Sequence, residues 1–163
     1  MEDRKTFSIE PLLDAAEDHL QANDVSRAFF CYQNALEWEV PSLRLWKGLA
    51  LCSYILGEFD KALKYWENAL AIDPYDLETQ KHIENYKSPA FQSWLKRIDK
   101  AIKTVEMKEY EKARDQLRDL LEERDDIVSL HQILGLCYTA CSDRDSARRI
   151  WERGLKLDSS NPM

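Results

Sequence analysis

The chain contains few of the residues that interrupt helices, with only 4 Gly and 5 Pro among 163 residues. Few residues are therefore available that favour the tight turns between strands of a sheet. No stretch alternates apolar and polar residues over the length of a strand. The 44% of hydrophobic residues and 33% of charged residues suit one domain of ordinary size with a buried core. An all-α protein is therefore predicted.

Other absences exclude classes of function. The chain has no cluster of Lys and Arg, and its net charge of −7 opposes direct binding to a nucleic-acid backbone. No glycine-rich loop is present that would hold a nucleotide phosphate. No apolar run approaches the roughly 18 residues of a membrane span, and the N-terminus lacks the apolar stretch of a signal peptide. We expect no membrane contact and a cytoplasmic location.

Cysteine and histidine offer little catalytic chemistry. The cysteines have no disulfide-scaffold spacing, and the histidines His19, His82 and His131 belong to no signature such as HExxH. Cys137 and Cys141 are separated by one helical turn and could share a metal, but two further ligands would be needed. We predict no cofactor, no metal and no enzyme. A thiol or metal-dependent redox protein using these two cysteines stays open as an alternative.

One stretch, Leu43 to Asp76, sets a pattern that recurs along the chain. Its first half has apolar residues at helical spacing up to Gly57, and its second half has a similar series that ends at Pro74. The residues that carry the pattern are Trp46, Leu49, Ala50, Gly57, Phe59, Ala62, Trp66, Ala69 and Pro74. This stretch resembles a tetratricopeptide repeat, a unit of two helices joined by a turn.

The same anchors recur elsewhere and divide the chain into units. We predict repeat 1 at 9–42, closed by Pro41, repeat 2 at 43–76, a capping or spacer helix at 77–88, a degenerate repeat 3 at 89–127 and repeat 4 at 128–161. The spacer accounts for a 17-residue offset between the two pairs of repeats. The resemblance implies a single domain, a right-handed α-solenoid of about four repeats and one extra helix.

The turn residues of the repeats differ. Gly57 ends the first helix of repeat 2, and Asn23 stands in the same place in repeat 1, where it too can adopt left-handed backbone geometry. Lys108 takes this place in repeat 3. Because a side chain disfavours left-handed geometry, we expect a different turn at Lys108.

In tetratricopeptide-repeat proteins the exposed face of each first helix lines a concave groove that binds peptides or helices of a partner. The resemblance assigns Leu13, Glu17 and Leu20 of repeat 1, and Arg44, Lys47, Leu51 and Tyr54 of repeat 2, to this groove. The two cations beside apolar residues suggest an amphipathic helix or an extended peptide with an acidic group.

The resemblance therefore implies a non-catalytic protein-interaction module, an adaptor or scaffold. A secretion-type bacterial chaperone, which would favour a homodimer, is one alternative, and a scaffold for RNA processing is another. The extra helix or the chain's own tail could also cover the groove. The sequence leaves the partner and the continuity of the groove across the 17-residue insertion open.

Overall fold

The computed structural model describes residues 8–38, 40 and 42–162. The predicted closing residue Pro41 and most of the N-terminal stretch lie outside these ranges. Within them, nine α-helices and no strands are found: α1 (Glu10–Gln21), α2 (Val25–Leu36), α3 (Leu43–Leu56), α4 (Phe59–Ile72), α5 (Leu77–Lys87), α6 (Pro89–Glu106), α7 (Tyr110–Glu123), α8 (Val128–Ala140) and α9 (Arg144–Leu157). The predicted all-α repeat fold is confirmed. Among these helices none has the length and hydropathy that crossing a membrane requires.

Short left-handed turns separate the helices within each pair. Gly57 follows α3 with φ of 90°, and Asn23 follows α1 with φ of 54°, as predicted. Lys108 also has a positive φ, 60°, between α6 and α7, so the prediction of a different turn there is wrong. Its amide N–H donates to the carbonyl of Val105 at 2.8 Å, and this closure of the turn outweighs the steric cost of the side chain.

Small residues opposite aromatic ones allow α2 and α3 to approach closely between repeats 1 and 2, and α8 and α9 to do so within repeat 4. A Cβ atom added to Gly48 in α3 would overlap the ring of Tyr32 in α2. One added to Gly135 in α8 would overlap the indole of Trp151 in α9. Tyr32 is buried, with 1% of its surface exposed. The first contact joins repeat 1 to repeat 2, and the second joins the two helices of repeat 4.

Helix α5 turns the second half of the chain back towards the first. It is joined to α6 through the single residue Ser88, which caps α6 by accepting the Phe91 amide N–H at 3.2 Å. The Phe59 ring at the start of α4 contacts the rings of Phe91 and Trp94, with centroids 5.8 Å apart in each case. Helices α4 and α6 therefore begin at the same end of the molecule.

At this end the fourth unit contacts the first two repeats. Any Cβ added to Gly57, after α3, would overlap the side chain of Ser129 at the start of α8. Further along, Asp158 after α9 accepts the amide N–H of Ser26 at 3.0 Å, and the Ser159 amide donates to the carbonyl of Asn23 at 2.8 Å. The helices therefore do not form an open row, because the last unit packs against the first.

Candidate functional site

A cavity of about 470 Å³ lies where the two halves of the chain meet. Its walls come from α1 and the turn after it, the start of α2, α3, α4, α5, the start of α6, the loop before α8 and the end of α9. The lining residues are Leu20, Asn23, Val25, Leu51, Tyr54, Ile55, Trp66, His82, Asn85, Tyr86, Phe91, Asp126 and Leu157. Most are apolar or aromatic, with a few polar groups, as is usual for ligand sites.

Packed aromatic rings form the inner wall of the cavity. Trp66 is buried with 4% of its surface exposed, and the His82 imidazole stacks on it with centroids 4.9 Å apart and planes 6° apart. Tyr86 packs against Phe91 and donates a hydrogen bond from its hydroxyl to Asp60 at 2.9 Å. Burial, followed by this carboxylate, raises the pKa of Tyr86 to about 12, so its hydroxyl stays protonated.

Tyr54 connects this wall to the second half of the chain. Its ring lies 6.0 Å from that of Trp66 and 6.3 Å from that of Phe91. Its hydroxyl accepts a hydrogen bond from Arg124 at 3.3 Å, and the Arg124 guanidinium lies 5.0 Å from the centroid of Phe91. Burial and the nearby Asp126 raise the pKa of Tyr54. The Arg124 guanidinium therefore already makes the cation–π contact that the face of the Phe91 ring offers.

Arg44 does not project freely from α3. Its guanidinium contacts three carboxylates of α1, those of Glu10, Asp14 and Glu17, the last two at 2.9 Å. The hydrogen bonds to Glu17 and Asp14 raise the pKa of the guanidinium. Arg44 thus joins repeat 1 to repeat 2 and is already surrounded by negative charge.

Lys47 is engaged in the same way with the extra helix. Its ammonium lies 3.1 Å from Asp76 and also contacts Glu78. Although partial burial acts in the opposite direction, the hydrogen bonds to Glu78 and Asp76 raise the pKa of Lys47. Asp76 also caps α5 by accepting the amide N–H of Thr79 at 3.0 Å.

The seven residues that the resemblance assigned to the groove occupy three different environments. Leu20, Leu51 and Tyr54 come together in the cavity. Glu17 on α1, and Arg44 and Lys47 on α3, precede Leu20 and Leu51 by one or two helical turns. Their ion pairs, with Glu10, Asp14, Asp76 and Glu78, are called the approach to the cavity below. Leu13 has 0% of its surface exposed and packs in the core of α1 to α3.

Two of the thiols, Cys52 and Cys137, are buried and have the properties of packing residues. The pKa of Cys137 is raised to about 11, first by burial, and that of Cys52 to about 12, also first by burial. Both thiols are therefore protonated near neutral pH and are poor nucleophiles. His131 is buried too, and its Nδ1 lies 2.9 Å from the carbonyl oxygen of Ile127. Among the described residues, no group of three or more His, Cys, Asp or Glu is arranged to hold a metal ion.

Sequence reasoning missed the residues that the second half of the chain brings to the cavity, chiefly Phe91, Asp126 and Leu157. It also missed His82 and Asn85 of α5. A signal for the last two was present, since Glu78, His82 and Asn85 follow one another at i, i+4 and i+7 on one face of α5.

Comparison with known proteins found one matching family model and several similar solved structures. The model of the tetratricopeptide repeat matches residues 43–76. No curated protein matches the sequence. A crystal structure of the MamA protein is similar at 15% identity and a TM-score of 0.45, over 92% of this chain and 73% of that one. A MamA AMB-1 structure is similar at 14% identity and a TM-score of 0.45, over 95% and 94%.

Proposed function

Residues 43–76 are a tetratricopeptide repeat, and we propose that the chain is a non-catalytic adaptor that binds a segment of a partner protein in its central cavity. The observation that carries this proposal is the cavity itself, about 470 Å³ in volume and bounded mainly by apolar side chains. Space of this size accepts several apolar side chains of a partner. The four free thiols suit a reducing compartment such as the cytoplasm.

Leu51 supports the proposal because it is an apolar residue left accessible at the cavity. Its surface is 40% exposed, and it lies on α3 between the charged approach and the aromatic wall. A partner side chain that covered Leu51 would remove this area from water and gain the corresponding hydrophobic free energy. Leu20 and Tyr54 lie beside it and would contribute to the same contact.

Site-specific photocrosslinking tests the proposal. A photoreactive amino acid replaces Leu51 in one variant and Leu155 of α9 in a control, since the exposures of these leucines are similar, 40% and 38%. We expect a discrete crosslinked partner from position 51, identified by mass spectrometry, and none from position 155. An excess of the wild-type protein, which has no photoreactive residue, should compete for the partner and suppress the crosslink. An excess of the Leu51→Gln protein should compete at least tenfold less effectively. Equal crosslinking at both positions would contradict the proposal.

A further inference from the structure

The approach to the cavity has an excess of negative charge. Its two cations, Arg44 and Lys47, lie among five carboxylates, those of Glu10, Asp14, Glu17, Asp76 and Glu78. The ion pairs therefore leave three negative charges in excess. At the cavity itself the exposed Asp126 carboxylate is offset by the Arg124 guanidinium, which contacts Tyr54 and Phe91, so the excess of negative charge belongs to the approach.

On each of three helices, a charged residue of the approach and a residue that lines the cavity lie on the same helical face. On α3, Lys47 precedes Leu51 by one turn, and on α1, Glu17 precedes Leu20 by three residues. On α5, Glu78 precedes the cavity residue His82 by one turn. A partner segment that places apolar side chains in the cavity and continues along α3 therefore passes between the carboxylates of α1 on one side and those at the start of α5 on the other.

From this arrangement we infer that the cavity binds a basic amphipathic helix of a partner protein, one whose apolar face enters the cavity and whose Lys or Arg residues face α1 and α5. This inference depends on the proposed function and specifies its partner. It reverses the charge expected from the sequence, because Arg44 and Lys47 are already paired and are not free to attract an acidic group.

A helix suits this site better than an extended peptide. The walls are mainly helical, and the backbone N–H and C=O groups within these wall helices are already hydrogen-bonded to each other. An extended peptide would find few backbone partners there, whereas a helix satisfies its own backbone groups. Apolar side chains at i, i+3 and i+4 would enter the cavity together.

A second copy of the chain is a poorer occupant than a basic helix. The net charge of −7 means that two copies repel each other, and the acidic approach would add to this repulsion at the contact. Self-association through the cavity is nevertheless one outcome that the experiment below can detect.

Three fluorescent helical peptides of 18 residues provide the probe. They share one Leu and Trp face, and their polar faces carry only Lys, only Gln or only Glu. We expect the Lys peptide to bind at least tenfold more tightly than the Gln peptide at low salt, and the Glu peptide to bind most weakly. The preference should decline at about 0.5 M salt because exposed charges are then screened.

Charge variants test whether the approach causes the preference. Glu17→Gln with Glu78→Gln should weaken binding of the Lys peptide about fivefold and leave the Gln peptide unchanged. The matched control, Glu122→Gln with Glu152→Gln, makes the same change of charge on the exposed surfaces of α7 and α9 and should alter neither affinity. Circular dichroism confirms that each variant is folded.

The outcomes separate this inference from the proposed function. If Leu51→Gln weakens all three peptides about tenfold but the Glu peptide binds as well as the Lys peptide, the cavity site stands and the basic partner is wrong. An unchanged Lys-peptide affinity in the Glu17 and Glu78 variant also overturns the basic partner. Binding that is indifferent to Leu51→Gln, or no binding at all, overturns both. A dimer in sedimentation that Leu51→Gln dissociates would identify a second copy as the occupant.

Discussion

At the scale of single residues, the turns show how the repeat tolerates substitution. Asn23, Lys108 and Ser142 all adopt positive φ, between 54° and 64°, at the turns that correspond to Gly57. Asparagine enters this region more readily than other residues with side chains, while lysine has no such advantage. The turn is therefore set by its backbone hydrogen bonds and by the packing of its two helices rather than by the residue within it.

Lys108→Gly should stabilise the protein by about 0.5 to 1 kcal/mol, because glycine has no Cβ to strain the left-handed turn. Lys108 is exposed and its φ is 60°, so the replacement removes little packing. Urea denaturation followed by circular dichroism measures the change. The control Lys96→Gly, on the exposed face of α6, should instead cost about 1 kcal/mol. Destabilisation by Lys108→Gly would contradict the account of the turn.

At the scale of elements, α5 is the helix on which the arrangement depends. It is polar along most of its length, but it buries Thr79, Ile83 and Tyr86 against its neighbours. The sequence predicts a helix at 77–88, because Ser88 and Pro89 end the helical pattern and the flanking repeats are offset by 17 residues. Its contacts with α3 through Lys47 could not be predicted, since they depend on how the helix tilts after the Asp76 cap.

The cap of α5 predicts a dependence of stability on pH. Hydrogen bonds from Thr79, and then the contact with Lys47, lower the pKa of Asp76 below its ordinary value of 3.8. A carboxyl with a lowered pKa stabilises the folded state fully above the pKa of the unfolded chain and loses this effect as pH falls through the folded pKa. The Asp76 contribution should therefore be constant near neutral pH and disappear in acid.

Asp76→Asn should cost about 1 kcal/mol at pH 7, because asparagine still caps the helix but loses the charge-assisted contacts. The difference in unfolding free energy between this variant and the wild type should shrink below about pH 4. Urea denaturation of both proteins from pH 7 to pH 3 measures it, with Asp99→Asn on the exposed face of α6 as the control for a simple loss of charge. A difference that grew in acid would contradict the assignment.

At the scale of the whole molecule, the second pair of repeats closes on the first. The sequence indicates a single helix between the pairs, and one extra helix in a series of hairpins reverses the direction of every helix that follows. Helix α8 therefore begins where α3 ends, and α9 returns its end to the turn after α1. The reversal could be derived from the helix count, but the contacts that fix it lie 132 residues apart and leave no periodic signal in the sequence.

Asp158 is the residue that closes the molecule. With 0% of its surface exposed, it accepts hydrogen bonds from the amide N–H and the hydroxyl of Ser26 near the start of α2. Asp24, in the capping position of that helix, makes no side-chain cap, and its carboxylate instead accepts from Ser160. Burial acts in the opposite direction, but the Ser160 hydrogen bond, the Arg27 guanidinium and the nearby His19 imidazole lower the pKa of Asp24.

A double-mutant cycle between Ser26→Ala and Asp158→Ala should give a coupling free energy of roughly 1 to 2 kcal/mol, because the partly buried hydroxyl-to-carboxylate hydrogen bond is lost in either single variant. In an open row of repeats these positions, in the first and fourth units, would be too far apart to couple. Urea denaturation of the four proteins gives the cycle.

The control cycle pairs Ser26→Ala with Asp143→Ala, which removes the cap at the opposite end of α9 and should couple by less than about 0.5 kcal/mol. Equal coupling in the two cycles would mean that the last unit does not close on the first in solution, and the cavity between them would lose one of its walls.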